Sequence, residues 1–297
     1  MIVNTYEHGI IVEGITDFHV DHIFDCGQCF RWEKNEDGSY SGIAGGKIVT
    51  VSCDCDSGIL KIENATEEEF HGFWKHYLDL ERDYGVIKAQ LAAEDPVMEQ
   101  AIATGSGIRI LNQEPWETLI SFIISQNNNI PRIKKCIESL AKQLGEPAGE
   151  YRGKIWYSLP SPEVLADATL EDLAPCRLGY RAKYLLETAR QVAEEGIGQL
   201  ESLADPRKTA AEVLEKLRSY CGVGPKVASC IALFSMGRID SFPIDTWVKK
   251  VMHQKYGFQE RDIRGMEAYA AQNFGEYGGI AQQYLFYEIT HKKPVDK

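Results

Sequence analysis

Gly222-Val223-Gly224-Pro225-Lys226, running on into Val227-Ala228-Ser229-Cys230, joins two helical patterns through a glycine-rich turn, and Asp245 follows nineteen residues after the lysine. Such a turn reverses the chain tightly and leaves backbone N–H groups exposed at a helix N-terminus, a ready site for an anion such as a nucleic-acid phosphate. Gly222, Val223 and Gly224 would supply that grip without side chains. Lys226 falls in the first turn of the second helix, where the positive end of the helix dipole favours the neutral, nucleophilic amine over the ammonium. Asp245 lies between Phe242-Pro243-Ile244 and the helical run Thr246-Trp247-Val248-Lys249-Lys250-Val251, and is a natural N-cap for that helix. A turn, a surface lysine and a capping aspartate are each ordinary alone. Together they predict a helix-hairpin-helix over about residues 206–237 with a chemical pair attached.

The 297 residues are 44% hydrophobic and 26% charged, a globular composition with room for two or three domains. A net charge of −12 argues against a nucleic-acid partner until its distribution is considered. Residues 1–95 hold 19 acidic against 7 basic residues, whereas residues 96–297 hold 25 of each. The acidic excess therefore sits in the N-terminal third, and a neutral C-terminal region can still present a local basic face. With no secretory signal near Met1 and no apolar run long enough to span a bilayer, the expected setting is the cytoplasm, at the nucleoid or in a nucleus, with no membrane partner.

The pattern divides at the same place. Gly9–Val12, His19–Phe24, Cys29–Trp32, Tyr40–Ile43 and Lys47–Val51 read as strands separated by Gly, Asn and Asp clusters, which predicts a small antiparallel sheet. Thr66-Glu67-Glu68-Glu69 is a capping box opening a helix through Phe70, Phe73, Trp74 and Tyr77. From Asp95 onward the periodicity is almost entirely helical. Glu114-Pro115 starts one helix, which ends in Gln126-Asn127-Asn128-Asn129, where Asn127 could serve as a C-cap. Ile130-Pro131-Arg132 starts another, and Ser161-Pro162 is an N-cap with proline at the first position. Leu178-Gly179-Tyr180 breaks the chain before an amphipathic run from Arg181 to Glu195, and Asp205-Pro206 opens the helix that leads to the hairpin. The expected class is α+β: residues 1–95 form an antiparallel β domain with flanking helices, and residues 96–297 an α-helical region containing the hairpin.

Cys26, Cys29, Cys53 and Cys55 offer two close pairs, the way four-thiolate zinc sites are built. Only one residue separates the second pair, which is tight for chelation. Reduced thiols and no metal are the expectation for this segment.

Taken in order, the motifs are similar to a known set. Gly27-Gln28-Cys29-Phe30-Arg31-Trp32, Ile110-Leu111-Asn112-Gln113-Glu114-Pro115-Trp116-Glu117, Ser125-Gln126-Asn127-Asn128-Asn129-Ile130, Leu178-Gly179-Tyr180-Arg181-Ala182, the hairpin with Lys226, Pro243-Ile244-Asp245, and Ala281-Gln282 to Leu285-Phe286 span nearly the whole chain. It resembles the helix-hairpin-helix glycosylase superfamily and, within it, the eukaryotic-type 8-oxoguanine DNA glycosylase/AP lyases. The resemblance implies double-stranded DNA containing 8-oxoguanine as partner, base flipping, and a monomer that requires no cofactor. It implies attack of Lys226 on the sugar C1′, a Schiff base and β-elimination, with Asp245 stabilising the charge that develops on the sugar. It further implies that the Gly27 carbonyl accepts the N7–H peculiar to 8-oxoguanine, that Phe286 and Cys230 sandwich the base, and that Gln282 reads its Watson–Crick edge. Asn127, Arg132 and Arg181 would contact the opposite cytosine, and Tyr180 would wedge into the stack. A monovalent or calcium ion on hairpin carbonyls around Tyr220 and Val223 is compatible with the resemblance.

Two positions depart from the animal pattern: Trp247 stands where a phosphate-contacting histidine is expected, and Gln126 where a small hydroxyl residue is. One hydrogen bond at Gly27 is worth about 1–3 kcal/mol, a factor of roughly 10 to 100, so the pocket alone is too weak a filter. An earlier check during extrusion, involving Tyr180, Asn127 and the arginines, is expected. Alternatives are a monofunctional glycosylase that activates water with Asp245, and a non-catalytic protein that grips phosphate with the hairpin. Cys230 is the last cysteine, so the iron–sulfur loop of related branches is not expected.

Overall fold

The computed structural model describes residues 1–291. A six-stranded antiparallel sheet forms the N-terminal part, from β1 (Ile2–Tyr6), β2 (Gly9–Glu13), β3 (Trp32–Lys34), β4 (Tyr40–Ala44), β5 (Lys47–Asp54) and β6 (Ile59–Glu63), in the order β1-β2-β6-β5-β4-β3. The central strands bury Ile10, Val12, Val49, Val51, Leu60 and Ile62 with Trp32, Tyr40, Phe70 and Trp74, so one apolar face is covered and one core results. The Thr66 capping box is present and opens α2 (Glu67–Glu69), which continues through a π-helical turn at Phe70–Trp74 into α3 (Lys75–Tyr77).

The segment His19–Phe24 corrects the sequence reading. It is a short helix, α1 (Val20–Phe24), not a strand, with Val20, Ile23 and Phe24 buried and the Asp21 N–H capped by His19 Nδ1. Burial at i, i+3 and i+4 is the helical spacing, and over six residues it also passes for alternation.

The helical part comprises α4 (Tyr84–Ala92), α5 (Pro96–Thr104), α6 (Pro115–Ser125), α7 (Ile130–Leu144), α8 (Pro162–Asp167), α9 (Arg181–Glu195), α10 (Ile197–Glu201), α11 (Ala210–Arg218), α12 (Pro225–Ser235), α13 (Thr246–Tyr256), α14 (Ile263–Asn273) and α15 (Gly278–His291). Ser161 caps α8 with Pro162 at its first position, as its sequence indicates. The helix before the hairpin starts later than Asp205-Pro206 suggests, because Thr209 and Glu212 form the capping box that opens α11, while Asp205 instead accepts from Arg207. A second departure is the hairpin of β7 (Pro147–Tyr151) and β8 (Lys154–Tyr157), in a region that reads as helical. It packs back on the first sheet, with Trp156 beside Ile43 and Ile48.

The helical core gathers the apolar faces of α7, α9 and α12 on α6, joins them to the largely buried α15, which packs on α5 and α13, and also takes in Tyr84, Ile87 and Leu91 of α4. Buried Arg109 ties the two cores together, donating to the carbonyls of Thr16, Asp17, Asp79 and Arg82. Among the described residues no helix is long and apolar enough to cross a membrane.

Candidate active site

The turn after α11 needs glycine at position 222 for two reasons. Its φ is +77°, and a Cβ there would lie 2.6 Å from the Tyr184 ring. Gly224 precedes α12 with extended backbone and offers no side chain to cap it, so first-turn N–H groups remain for an external acceptor. Gly224 and Pro225 are exposed, and Val223 is buried as the turn's anchor.

Lys226, on the inner side of this helix start, reaches a cavity of about 730 Å³. The same cavity is lined by Gly27, Cys230, Asp245, Trp247, Gln282 and Phe286. Seven candidates drawn from four separate stretches of the sequence therefore meet at one place. Cys230 lies one turn beyond Lys226 on α12. Asp245 arrives as the N-cap of α13, its Oδ1 accepting the Val248 N–H at 2.8 Å, so its carboxylate is fixed by the helix it starts. Gln282 and Phe286 are four residues apart on α15 and share a face. Gln283 Nε2 donates to Gln282 Oε1 at 2.8 Å, which orients the Gln282 amide. Gly27 has φ +76°, and a Cβ on it would stand 3.3 Å from the Phe286 ring. Phe122 and Ile130, whose periodicity marks them only as helix-face residues, line the cavity too.

The charge state of Lys226 differs from the expectation of a neutral amine. Burial pulls its ammonium down, but Cys230 and Asp245 outweigh burial and the net displacement is upward. Burial likewise raises the Asp245 carboxyl, against the lowering influence of the Val248 N–H and Lys226.

Of the residues expected to meet the opposite base, Asn127, Tyr180 and Arg132 lie on an adjoining surface, and Arg181 lies beneath it. Asn127 sits in the left-handed region with φ +47° in the turn between α6 and α7, and is exposed. Tyr180 is 49% exposed. Arg181 is buried beneath both turns, donating to the carbonyls of Gln126, Leu178 and Asn127. Arg132 is exposed and donates to the Arg177 carbonyl at 3.4 Å. Asn128, Asn129 and Ile130 of the same turn line the cavity, so this surface is continuous with its mouth. Trp247 is 44% exposed at the rim, with Lys250 Nζ 5.4 Å from its ring centroid.

The four N-terminal thiols do not assemble. Cys26 and Cys29 are buried, Cys26 donates to the Ile23 carbonyl, and burial pushes its thiol up to about 12. Among the described residues no group of three or more His, Cys, Asp or Glu could hold a metal ion.

Residues 10–119 match the family described as 8-oxoguanine DNA glycosylase, N-terminal domain, and residues 120–274 match the HhH-GPD superfamily of base excision DNA repair proteins. The N-glycosylase/DNA lyase OGG1 of Arabidopsis thaliana is 30% identical over 296 residues, covering 91% of this chain and 77% of the relative. The 8-oxoguanine glycosylase/lyase of Clostridium acetobutylicum, solved with double-stranded DNA containing cytosine opposite 8-oxoguanine, is 42% identical with a TM-score of 0.90, covering 97% of both chains. MBOgg1, solved with a low-affinity DNA ligand, is 44% identical with a TM-score of 0.90, covering 98% of this chain and 99% of its own. The chain belongs to the 8-oxoguanine DNA glycosylase/lyase family, within the HhH-GPD superfamily of base excision repair proteins.

Proposed function

We propose that this glycosylase/lyase removes 8-oxoguanine opposite cytosine from duplex DNA, with Lys226 as nucleophile and Asp245 as its carboxylate partner. The observation that carries this reading is the shared cavity in which both groups face Gly27, Gln282, Phe286 and Cys230. The hairpin N–H groups hold a phosphate, which brings the duplex to the mouth of the cavity. The lesion nucleotide is extruded into the cavity, its base lying between Phe286 and Cys230. Gln282 faces its Watson–Crick edge, and the Gly27 carbonyl accepts the N7–H that guanine lacks.

Neutral Lys226 attacks C1′, and the bond from C1′ to the base breaks with its electron pair passing to the base, which takes up a proton. Asp245 offsets the positive charge on the sugar, a role that its fixed position as a cap serves without reorganisation. The Schiff base then permits β-elimination and strand cleavage. A water-activating monofunctional enzyme would not need an amine buried at this point.

Arg132 supplies donors for the acceptor edge of the opposite cytosine, Tyr180 fills the gap in the stack, and Arg181 acts from beneath by holding the Asn127 turn. Trp247 offers an aromatic face at the rim in place of a phosphate donor. The mechanism requires no cofactor. The Tyr220 and Val223 carbonyls are oxygen donors of the kind a calcium or monovalent ion takes, and such an ion would add positive charge beside the phosphate grip. The enzyme acts as a monomer at the chromosome, in a nucleoid or a nucleus.

Borohydride reduces a Schiff base to a stable protein–DNA adduct, so trapping on an 8-oxoguanine duplex tests the assignment. Wild-type protein is expected to be trapped and Lys226→Gln is not. An adduct with the variant would remove Lys226 from this role.

A further inference from the structure

Gly27 is followed by the buried Gln28, which a second buried glutamine, Gln113, holds by its carbonyl, and these bonds reach across 81 to 85 residues of sequence. Gln28 is 0% exposed. Its Nε2 donates to the Ile23 carbonyl at 2.9 Å and the Arg109 carbonyl at 2.8 Å, and its Oε1 accepts the Leu111 N–H at 2.8 Å. The side chain thereby binds the end of α1 to the extended segment before α6. Gln113, also buried, closes the frame from the other side. Its Nε2 donates to the Gln28 carbonyl at 2.7 Å, while its own N–H donates to the Phe234 carbonyl at 2.9 Å. Phe234 lies in the last turn of α12, the helix that carries Lys226 and Cys230.

The peptide that follows Gln28, one residue beyond Gly27, is therefore linked through one residue to the nucleophile's helix. Neither glutamine carries a group that the reaction consumes, and both are buried at a cost that only satisfied hydrogen bonds offset. An apolar pair of the same size would pack the space, but would fix no direction for the Gly27 backbone.

We infer that Gln28 and Gln113 form a strut that sets the position of the Gly27 carbonyl relative to α12, and so act as positioning residues for discrimination of 8-oxoguanine from guanine. This rests on the reading of Gly27 as the acceptor for N7–H. The strut matters when a base must be recognised, and is idle when the substrate has no base. Lys226 needs only the sugar of an abasic site, so lyase activity on preformed abasic duplex is the internal control.

Gln113→Met keeps the volume and the backbone bond to Phe234 but removes the donor to Gln28. Single-turnover excision of 8-oxoguanine is expected to fall about tenfold relative to abasic-site cleavage, which follows from the loss of one buried hydrogen bond, and the preference over guanine is expected to narrow with it. Gln113→Asn, an amide one methylene too short, should behave likewise. A wild-type ratio in the folded variants would overturn the inference, as would an equal fall of both activities. Loss of the fold in both variants would assign the bond to stability alone and overturn it too. Gly27→Ala measured alongside separates the two readings. Unchanged discrimination in Gly27→Ala defeats the assignment of the carbonyl, whereas reduced discrimination there with a normal Gln113→Met defeats only the strut.

Discussion

At Lys226 the structure turns a general rule around. A lysine in the first turn of a helix meets the positive end of the dipole, and burial too disfavours its charge, yet with Cys230 on the same helix and Asp245 on the next close by, the net displacement of Lys226 is upward. The resting amine is protonated, and attack on C1′ must wait for the neutral form. A raised lysine remains charged at pH values above the ordinary titration near 10.4. Single-turnover excision is therefore expected to climb with pH from about 7 to about 10, by nearly tenfold per unit, without reaching a plateau. The raised carboxyl of Asp245 has the opposite sign of consequence: it gains its proton at a higher pH than the ordinary carboxylate, near 3.9. Activity should then fall on the acid side earlier than an exposed aspartate would dictate. Removing the thiol in Cys230→Ala takes away one upward influence on Lys226, so the alkaline limb should shift to lower pH. A pH–rate profile of the two proteins checks all three signs. A limb that stayed fixed in the variant would show that Cys230 has no part in the charge state.

Among the elements, α9 does its work at a distance from its own axis. Arg181 opens it, where a cation is unfavourable to that helix, but the guanidinium turns toward the carbonyls at the C-terminal end of α6 and in the Asn127 turn, where a cation is favourable. One buried side chain thus holds the turn that presents Asn127. Arg181→Leu is expected to cost about 2 kcal/mol of stability, as charged hydrogen bonds to buried carbonyls do, and to flatten the preference among bases opposite the lesion. Urea unfolding and a panel of four opposite-base duplexes measure the two effects. Unaltered opposite-base preference would confine Arg181 to stability. Elements with local signals are those legible in the sequence. The Thr66 capping box, Ser161-Pro162, the Arg181–Glu195 helix and the Gly222 hairpin each declare themselves within five to fifteen residues. α1 is too short for its period to be decided, and β7, Pro-Ala-Gly-Glu-Tyr, lacks the β-branched residues that mark a strand. Its pairing comes from Trp156 packing on a sheet about a hundred residues earlier. The bonds of Gln28 and Gln113 leave no local trace at all, because their partners are set by tertiary structure alone.

For the molecule as a whole, the uneven charge and the two cores describe a division of labour with a firm joint. The sheet core and the helical core are separate apolar clusters, yet Gly27 comes from the first part of the chain and Lys226 from the second, so the cavity exists only while both are docked. Arg109 carries much of that docking: its guanidinium satisfies four carbonyls, two just before α1 and two beside α4, and its planar face lies 4.6 Å over the Tyr84 ring. A joint of this kind predicts one cooperative unfolding transition rather than two. Tryptophan fluorescence, which includes Trp32 and Trp74 of the sheet core, should therefore coincide in urea with far-UV circular dichroism, which follows mainly the helices. Arg109→Met leaves the buried bond to the Asp79 carbonyl and the partly buried bonds to the other three without a donor, at about 1–3 kcal/mol for each carbonyl that finds no water. The variant is expected to lower the midpoint and to pull the two signals apart, the sheet part melting first because it has the smaller core. Coincident curves in the variant would mean that apolar contact between the cores, and not Arg109, holds the cavity together.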